Sequence, residues 1–382
     1  VPALRFPEFS EEWKTFQLSD LAAYSKERVK MEILSSNNYV STENMQQDFA
    51  GIKDAISLPS SGTAVEFQVG DILISNIRPY LKKIWLSDRN GGCSTDVLAL
   101  RTKNEKVDSS FLYCCLANDD FVSYVMSGAK GVKMPRGDKQ HILSYNLGVP
   151  SVQEQRRIAE LVSLLEKRIS AQSKTIEDKE TLYKAIIDKH FKEIRKNESI
   201  QEVYLSNVFK ERVEYSSNDG VFPHASLTKE GVNIKTDRYN RDFLVKDTDK
   251  QYKVTRINDI CYNPANLKFG VITRNKVGTL IFSPIYVTFE VRNGYDPAYI
   301  ELMVTNSDFV NKMLRFQEGT VYERMAVSSE DFLSESCKIP DLEIQKEFSA
   351  HVSIIEQSIQ VEKKYLESIC RIKNYILEAM FI

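Results

Sequence analysis

No stretch of 18 or more apolar residues occurs in the 382-residue chain, so no transmembrane helix is expected. The first residues, VPALRFPEFSEEW, lack a basic n-region and an apolar h-region, so no secretory signal is expected there. Six cysteines are scattered (Cys93, Cys114, Cys115, Cys261, Cys337, Cys370), and none forms a C-x-x-C pair. That argues against a zinc finger or a redox dithiol and fits a reducing cytoplasm. Four histidines leave little material for histidine-based chemistry. An excess of one charge is missing too, with 51 Lys and Arg against 53 Asp and Glu. A chain that binds polyanions through its whole surface is usually basic. If nucleic acid is the partner, its cations must be concentrated locally. No G-x-x-x-x-G-K-[ST] phosphate loop occurs, no Gly-rich cofactor loop follows a strand, and no Ser/His/Asp or Cys/His constellation assembles. An ordinary hydrolase is disfavoured, and neither a catalytic residue nor a metal ligand is assigned.

What is present is globular: 42% apolar and 27% charged residues, in a length that suits two domains. The strongest signal is a long internal repeat. Gln17-Leu18-Ser19-Asp20-Leu21 aligns with Tyr204-Leu205-Ser206-Asn207-Val208. Gly70-Asp71-Ile72 aligns with Asn258-Asp259-Ile260, and Asp119-Asp120-Phe121-Val122 with Ser307-Asp308-Phe309-Val310. Pro150-x4-Gln155 falls on Pro340-x4-Gln345, and Phe191 on Phe381. The offset drifts only from 187 to 190 and the order never scrambles. A solenoid repeats every 20 to 50 residues; a period of half the chain means two copies of one domain-plus-connector unit.

Each copy ends in a predicted long helix. Between Val152 and Phe191 there is neither Gly nor Pro, and the residue before Pro150 is pushed out of helix. Ile158, Val162, Leu165, Ile169, Ile176, Tyr183 and Ile186, with Gln172, Lys179 and His190 between them, follow a 4, 3 spacing. Phe348, Val352, Ile355, Ile359, Leu366, Ile369 and Ile376, with Glu362 and Lys373, repeat it over Leu342 to Phe381. That is a heptad seam, and about 40 residues of helix span roughly 60 Å. A lone helix cannot bury such a seam, so the two are expected to pair, antiparallel. The polar seam positions either fix the register or are simply wet.

Each copy begins with about 150 mixed residues. Short β-type runs (71–75, 84–86, 96–100; then 259–262, 270–273, 285–291) precede apolar helical patches (111–117, 121–126; then 299–304, 309–314). The fold class expected is α+β: two similar α+β domains separated by two long antiparallel coiled-coil helices, a pseudo-twofold repeat. The boundaries are 1–150, a helix over 151–192, 193–340, and a helix over 341–382. The polar stretch Lys192 to Ser199 reads as the join between halves.

Local cations with aromatic company lie in two loops. Asn76, Arg78, Tyr80, Lys82 and Lys83 stand in the first, and Asn263, Asn266 and Lys268 in its second-copy counterpart. Lys130, Lys133, Arg136 and Lys139 stand in the second, with Tyr322 and Arg324 in the counterpart. Lys and Arg neutralise phosphates and set position on a duplex, while Arg, Asn and Gln can read base edges. The copies differ most in these loops while sharing a frame, as two readers of different sequences would. For any single residue, a solvated surface is the competing reading. Asn263-Pro264-Ala265-Asn266 partly matches the Asn-Pro-Pro-Tyr motif that holds a flipped adenine, but lacks the second Pro and the aromatic residue. Glu362-Lys363-Lys364 has nuclease-like E-x-K spacing but falls on the second long helix, a solvated face plus one seam position.

The chain resembles the specificity subunits of type I restriction–modification systems. Leu4-Arg5-Phe6-Pro7-Glu8-Phe9 with Trp13, Gln17-Leu18-Ser19-Asp20, Gly70 to Ser75, the two Pro-x4-Gln helix openings and Ala379-Met380-Phe381 carry the resemblance. It spans essentially the whole chain. It departs at Asn258 in place of Gly70 and at Gln345-Lys346-Glu347-Phe348 in place of Gln155-Arg156-Arg157-Ile158. The second copy's counterpart of the Lys130–Lys139 loop has also lost most of its Lys. The resemblance implies a non-catalytic, cytoplasmic subunit whose two domains each bind half of a split double-stranded DNA site. It implies helices that set the gap and dock two modification subunits. No cofactor is implied on this chain; S-adenosylmethionine belongs to the modification subunits, and ATP and Mg to the restriction subunits. A protein-binding coiled-coil scaffold is the alternative, and a stand-alone methyltransferase or nuclease a weaker one.

Overall fold

A computed structural model describes residues 2–103, 105–217, 221–229, 231–235, 251–316 and 326–381. The chain divides into two units, residues 1–173 with 364–382 and residues 174–363, so each unit takes part of both long helices.

In the first unit, strands β1 (Lys14–Gln17) and β10 (Asn146–Val149) pair antiparallel. An antiparallel sheet runs β2 (Ala22–Tyr24), β9 (Val97–Thr102), β6 (Ile72–Ser75), β7 (Ile84–Leu86). A second sheet runs β3 (Arg28–Lys30), β5 (Thr63–Phe67), β8 (Gly91–Cys93), β4 (Tyr39–Val40), with only its last pair parallel. Successive residues of a strand face opposite sides. Ile72 and Ile74 therefore join one core with Phe111 and Phe121, while Leu73 joins another with Met45, Phe67 and Trp85. Two helices, Ser109–Leu116 and Asp119–Ser127, complete the first core. Their caps are Asp108 and Asn118, whose side-chain oxygens accept from the orphan N–H groups of the first turn.

The second unit repeats this order. β12 (Phe209–Glu211), β20 (Val287–Val291), β17 (Ile260–Tyr262) and β18 (Ile272–Arg274) stand as β2-β9-β6-β7 do. β13 (Tyr215–Ser217), β16 (Gln251–Thr255) and β19 (Leu280–Phe282) stand as β3-β5-β8 do, and β11 (Glu202–Tyr204) with β21 (Ser336–Lys338) as β1 with β10. A hairpin of β14 (Ala225–Thr228) and β15 (Gly231–Ile234) accompanies them. Asp296 and Asn306 cap Pro297–Thr305 and Ser307–Met313 in the places of Asp108 and Asn118. Asn258 adopts φ 71° where Gly70 adopts φ 86°. This departure is conservative, since Asn is among the few non-Gly residues that tolerate the left-handed region.

The long helices are Val152–Lys196, the central helix, and Leu342–Met380, the C-terminal helix. In the first unit Glu166 meets Lys373 at 2.7 Å and Arg168 donates to the Tyr365 hydroxyl. In the second, Lys179 donates to Ser358 and meets Glu362 at 2.7 Å, while His190 stacks on Phe348 with ring centroids 3.6 Å apart. Within each unit, higher numbers on one helix meet lower numbers on the other, so the segments run antiparallel. Ile158, Val162, Ile176, Val352, Ile359 and Ile369 are buried in the seam. Leu164, Leu182, Ile354 and Tyr375, off the seam, are exposed. The central helix runs past the expected end at 192, through Lys196. No breaker precedes Asn197, and Arg195 and Lys196 complement the negative helix end.

The Pro-x4-Gln openings have a physical cause. Gln155 is fully buried; its Oε1 accepts from Asp108 N at 2.7 Å and its Nε2 donates to the Lys106 and Pro150 carbonyls. Gln345 repeats this, accepting from Asp296 N at 2.9 Å and donating to the Pro340 carbonyl. Each long helix is thus pinned to a helix cap of its own domain, that of Ser109–Leu116 or that of Pro297–Thr305. Beside the first joint, Arg5 grips buried Glu154 through two bonds of 2.7 Å, Trp13 Nε1 donates to the same carboxylate, and Leu4 N donates to the Ala379 carbonyl. This explains the Leu4 to Trp13 signature.

Candidate nucleic-acid interface

The loop from Asn76 to Lys83 joins β6 to β7, and the loop from Lys130 to Lys139 follows helix Asp119–Ser127. Although more than 50 residues apart, they are stitched together by backbone. Arg78 N donates to the Pro135 carbonyl at 2.8 Å, Gly137 N to the Asn76 carbonyl at 3.1 Å, and Ile77 bridges Arg136. The second loop closes on itself through paired Lys130–Arg136 backbone bonds of 2.9 Å. The first is kept tight by a 3-10 turn, Pro79–Leu81, flanked by Arg78 and Lys82 in left-handed conformation.

The cations divide by what they touch. Lys82 meets Asp119 at 2.7 Å, Lys130 meets Asp138 at 2.8 Å and Arg136 meets Asp96 at 3.2 Å. Lys130 and the N–H groups of His141 and Gln140 lower the Asp138 pKa to about 2, as suits a carboxylate capping helix Lys139–Leu143. Lys83 donates to the Thr42 carbonyl at 2.6 Å; burial, then the neighbouring Arg78, lowers its pKa. Lys139 sits 5.9 Å above the Tyr24 ring. Arg78 and Lys133 are exposed and have no charged partner among the described residues. Tyr80 is half exposed, and Val132 and Met134 stand out beside Lys133. The surface is therefore a set of cations, most tethered at their bases, with apolar and aromatic groups between them. Such a surface can neutralise phosphates and offer contacts to bases.

A hairpin that carries none of the sequence candidates adjoins this face. Its base is clamped by buried Asn44, which accepts from Ser41 N and donates to the Tyr39 and Lys53 carbonyls. Its tip meets the first loop through Asp48 N to the Leu81 carbonyl and Phe49 N to the Lys82 carbonyl. The contact runs through main-chain atoms, which leave no mark in residue spacing.

In the second unit, Asn263 is buried and its Oδ1 accepts from Ala265 N, capping the 3-10 turn Pro264–Phe269. Its side chain has a structural task. Asn266 and Lys268 are exposed, with Lys268 5.0 Å above the exposed Phe269 ring. Val327 N donates to the Pro264 carbonyl, tying this loop to the chain that follows residues 317–325. Tyr322 and Arg324 lie outside the described residues. Glu362 and Lys363 of the E-x-K string are spent on Lys179 and Glu180. Among the described residues no group of three or more His, Cys, Asp or Glu is placed to hold a metal ion, and no helix is long and apolar enough to cross a membrane.

Comparison with known proteins matches residues 10–179 to the type I restriction modification DNA specificity domain. The type I restriction enzyme MjaVIII specificity subunit of Methanocaldococcus jannaschii is 22% identical over 99% of this chain and 93% of its own length. The EcoDI specificity subunit of Escherichia coli is 28% identical over 26% of this chain and 22% of its own. Among solved structures, the type I restriction-modification S subunit from M. genitalium covers 100% of this chain and 99% of its own, with a TM-score of 0.60 at 16% identity. A chain from a study of complex assembly and conformational transition of the type I system aligns over 97% of this chain and 98% of its own, with the same TM-score and identity. Residues 10–179 match the type I restriction modification DNA specificity domain, and over nearly its whole length the chain is similar to the specificity subunits of type I restriction–modification systems.

Proposed function

We propose that residues 1–150 and 193–340 each read one half of a bipartite double-stranded DNA site. The helices over 151–192 and 341–382 set the distance between halves and dock two modification subunits. Restriction subunits join that assembly. S-adenosylmethionine serves the modification subunits, and ATP and Mg the restriction subunits; this chain contributes recognition, in the cytoplasm. The target adenine must leave the stack to be methylated, so the assembly includes a base-flipping step. The observation that carries the reading is a repeated joint in two domains whose loops diverge. The buried glutamines Gln155 and Gln345 make matching bonds in both copies, while the Arg78 and Lys268 loops of the same domains differ.

The contact residues proposed are Arg78, Tyr80, Lys133 and Lys139 in the first domain and Asn266 and Lys268 in the second. Lys82, Lys83, Lys130 and Arg136 are proposed to hold the loops while lending their charge to the phosphate path. Phosphate contacts made jointly with partner subunits account for a nearly neutral reader and predict a steep loss of affinity with salt.

The test is methylation mapping. The chain is expressed with its modification partner in a methylation-free host, and modified bases are read across the genome. Two short specific halves around a fixed gap, each with a marked adenine, are expected. Exchanging residues 1–150 for those of another specificity subunit should change one half only. Unchanged methylation after charge reversal at Arg78 and Lys133 would favour a protein-binding scaffold.

A further inference from the structure

We propose that the hairpin Asn44–Lys53 is a third reading loop of the first domain, and that Gln47 and Asp48 at its tip contact base edges. This rests on the recognition function above and assigns that function to residues outside the two basic loops. The hairpin is built for a fixed position. Met45 and Ile52 bridge each other and root it in the cluster of Phe67, Leu73 and Trp85. Gln46 N donates to the Gly51 carbonyl at 2.8 Å and closes the tip.

Four of the five non-Gly residues with positive φ among the described residues meet here: Asp48 (55°), Phe49 (60°), Arg78 (52°) and Lys82 (55°). Two of them are consecutive, and Phe49 is an aromatic residue that pays in full for the left-handed region. The surroundings hold them there. Asp48 N and Phe49 N donate to the Leu81 and Lys82 carbonyls at 3.2 and 2.9 Å, and Lys83 clamps Thr42 at 2.6 Å. Phe49 packs its ring against the main core, which leaves Gln47 and Asp48 exposed beside the Arg78 loop.

The chemistry at the tip differs from that of the loop it abuts. Cations that bond phosphate oxygens position a protein without reading sequence, and those that reach bases favour guanine. An amide and a carboxylate are readers: Gln pairs with adenine N6 and N7, and Asp accepts from cytosine N4. An acidic side chain on a phosphate-facing surface would otherwise be repelled. Lys82 and Lys83, spent on Asp119 and Thr42, then act as braces for the reader.

The test compares wild type, Gln47→Ala and Asp48→Asn, each as full-length chain with its modification partner, by genome-wide methylation mapping. Asn keeps tolerance of left-handed backbone at residue 48. A split motif for wild type, with base preference relaxed roughly five- to hundredfold at one position of one half in a variant, is expected. The same motif at the same rates in both variants overturns the third loop and leaves the recognition function standing. A uniform drop at every site, with preferences unchanged, also overturns it, because it marks a positional role only. No split motif from wild type overturns the recognition function itself.

Discussion

The two halves bury the same aspartate and neutralise it from different strands. Asp71 receives Arg101 of β9 through Nε at 2.9 Å and a second guanidinium nitrogen at 2.9 Å. Asp259 receives Arg212 from just beyond β12, at 2.7 and 2.9 Å. The ladder registers make Glu290 the equivalent of Arg101, since Lys210 pairs with Glu290 as Ala23 pairs with Arg101. Ser25 N bonds the Ala99 carbonyl as Arg212 N bonds that of Thr288, so Ser25 is the equivalent of Arg212. The arginine has crossed to the neighbouring strand, and a glutamate 3.4 Å from it fills the vacated place. What the fold requires is a countercharge at one buried carboxylate, not a residue at one sequence position.

The largest effect should come from breaking that pair. Asp71→Ala leaves the Arg101 guanidinium only its 2.8 Å bond to half-exposed Glu27 and should lower stability by about 2 kcal/mol in denaturant titration of the full chain. Arg101→Glu, which copies Glu290, should cost as much. Adding Ser25→Arg, which copies Arg212, should recover more than half of that loss. No recovery in the double variant would mean that the halves are not built on one plan.

A second effect separates the halves by pH. In the second unit His190 stacks on Phe348 and bonds the Tyr299 hydroxyl at 3.0 Å. Burial lowers its pKa from 6.5, partly opposed by Glu193. Folded protein then binds fewer protons here than unfolded protein. The contribution is full above the unfolded value of 6.5 and is lost as pH falls toward the folded value. At the equivalent position of the first unit stands buried Met380, beside Ile158. The protection of amides near Phe348, taken relative to their intrinsic exchange rates, should therefore fall from pH 7 to pH 5, and His190→Met should flatten the response. Equal acid sensitivity in that variant would refute the assignment to His190.

The smallest effect belongs to the polar seam. Replacing Glu166 and Lys373 together by Leu and Met should shift stability by less than about 1 kcal/mol, because both groups keep solvent contact. A change of helix register in that variant, read by crosslinking, would show instead that the pair specifies alignment.

Long-period order was legible in the sequence. The heptads gave both helices within a few residues, and Pro-x4-Gln marked their openings, because burial and helix geometry act on side-chain type. The cause of the Gln was not legible: its partners, the Asp108 N–H and the Lys106 carbonyl, lie nearly 50 residues away. The basic loops stood out by composition. Their union did not, because Arg78 N to the Pro135 carbonyl is a backbone bond that any residue pair could make. The clamp of Lys82 by Asp119 was hidden likewise, with the partners 37 positions apart. The hairpin over residues 44–53 has one cation, Lys53 at its base, and no basic cluster marks it in the sequence.

The division of the chain has a consequence for its synthesis. The second unit is one continuous stretch, 174–363, and can close once that stretch has left the ribosome. The first unit draws on 364–382 as well, with Leu377 and Met380 in its core and Leu4 N bonded to Ala379. The half translated first is therefore the half completed last. Until the closing turns arrive, its apolar helix start at Ile158 and Val162 stays uncovered, a substrate for chaperones and proteases. A message cut after the codon for Lys363 would yield a finished second half beside an unfinished first.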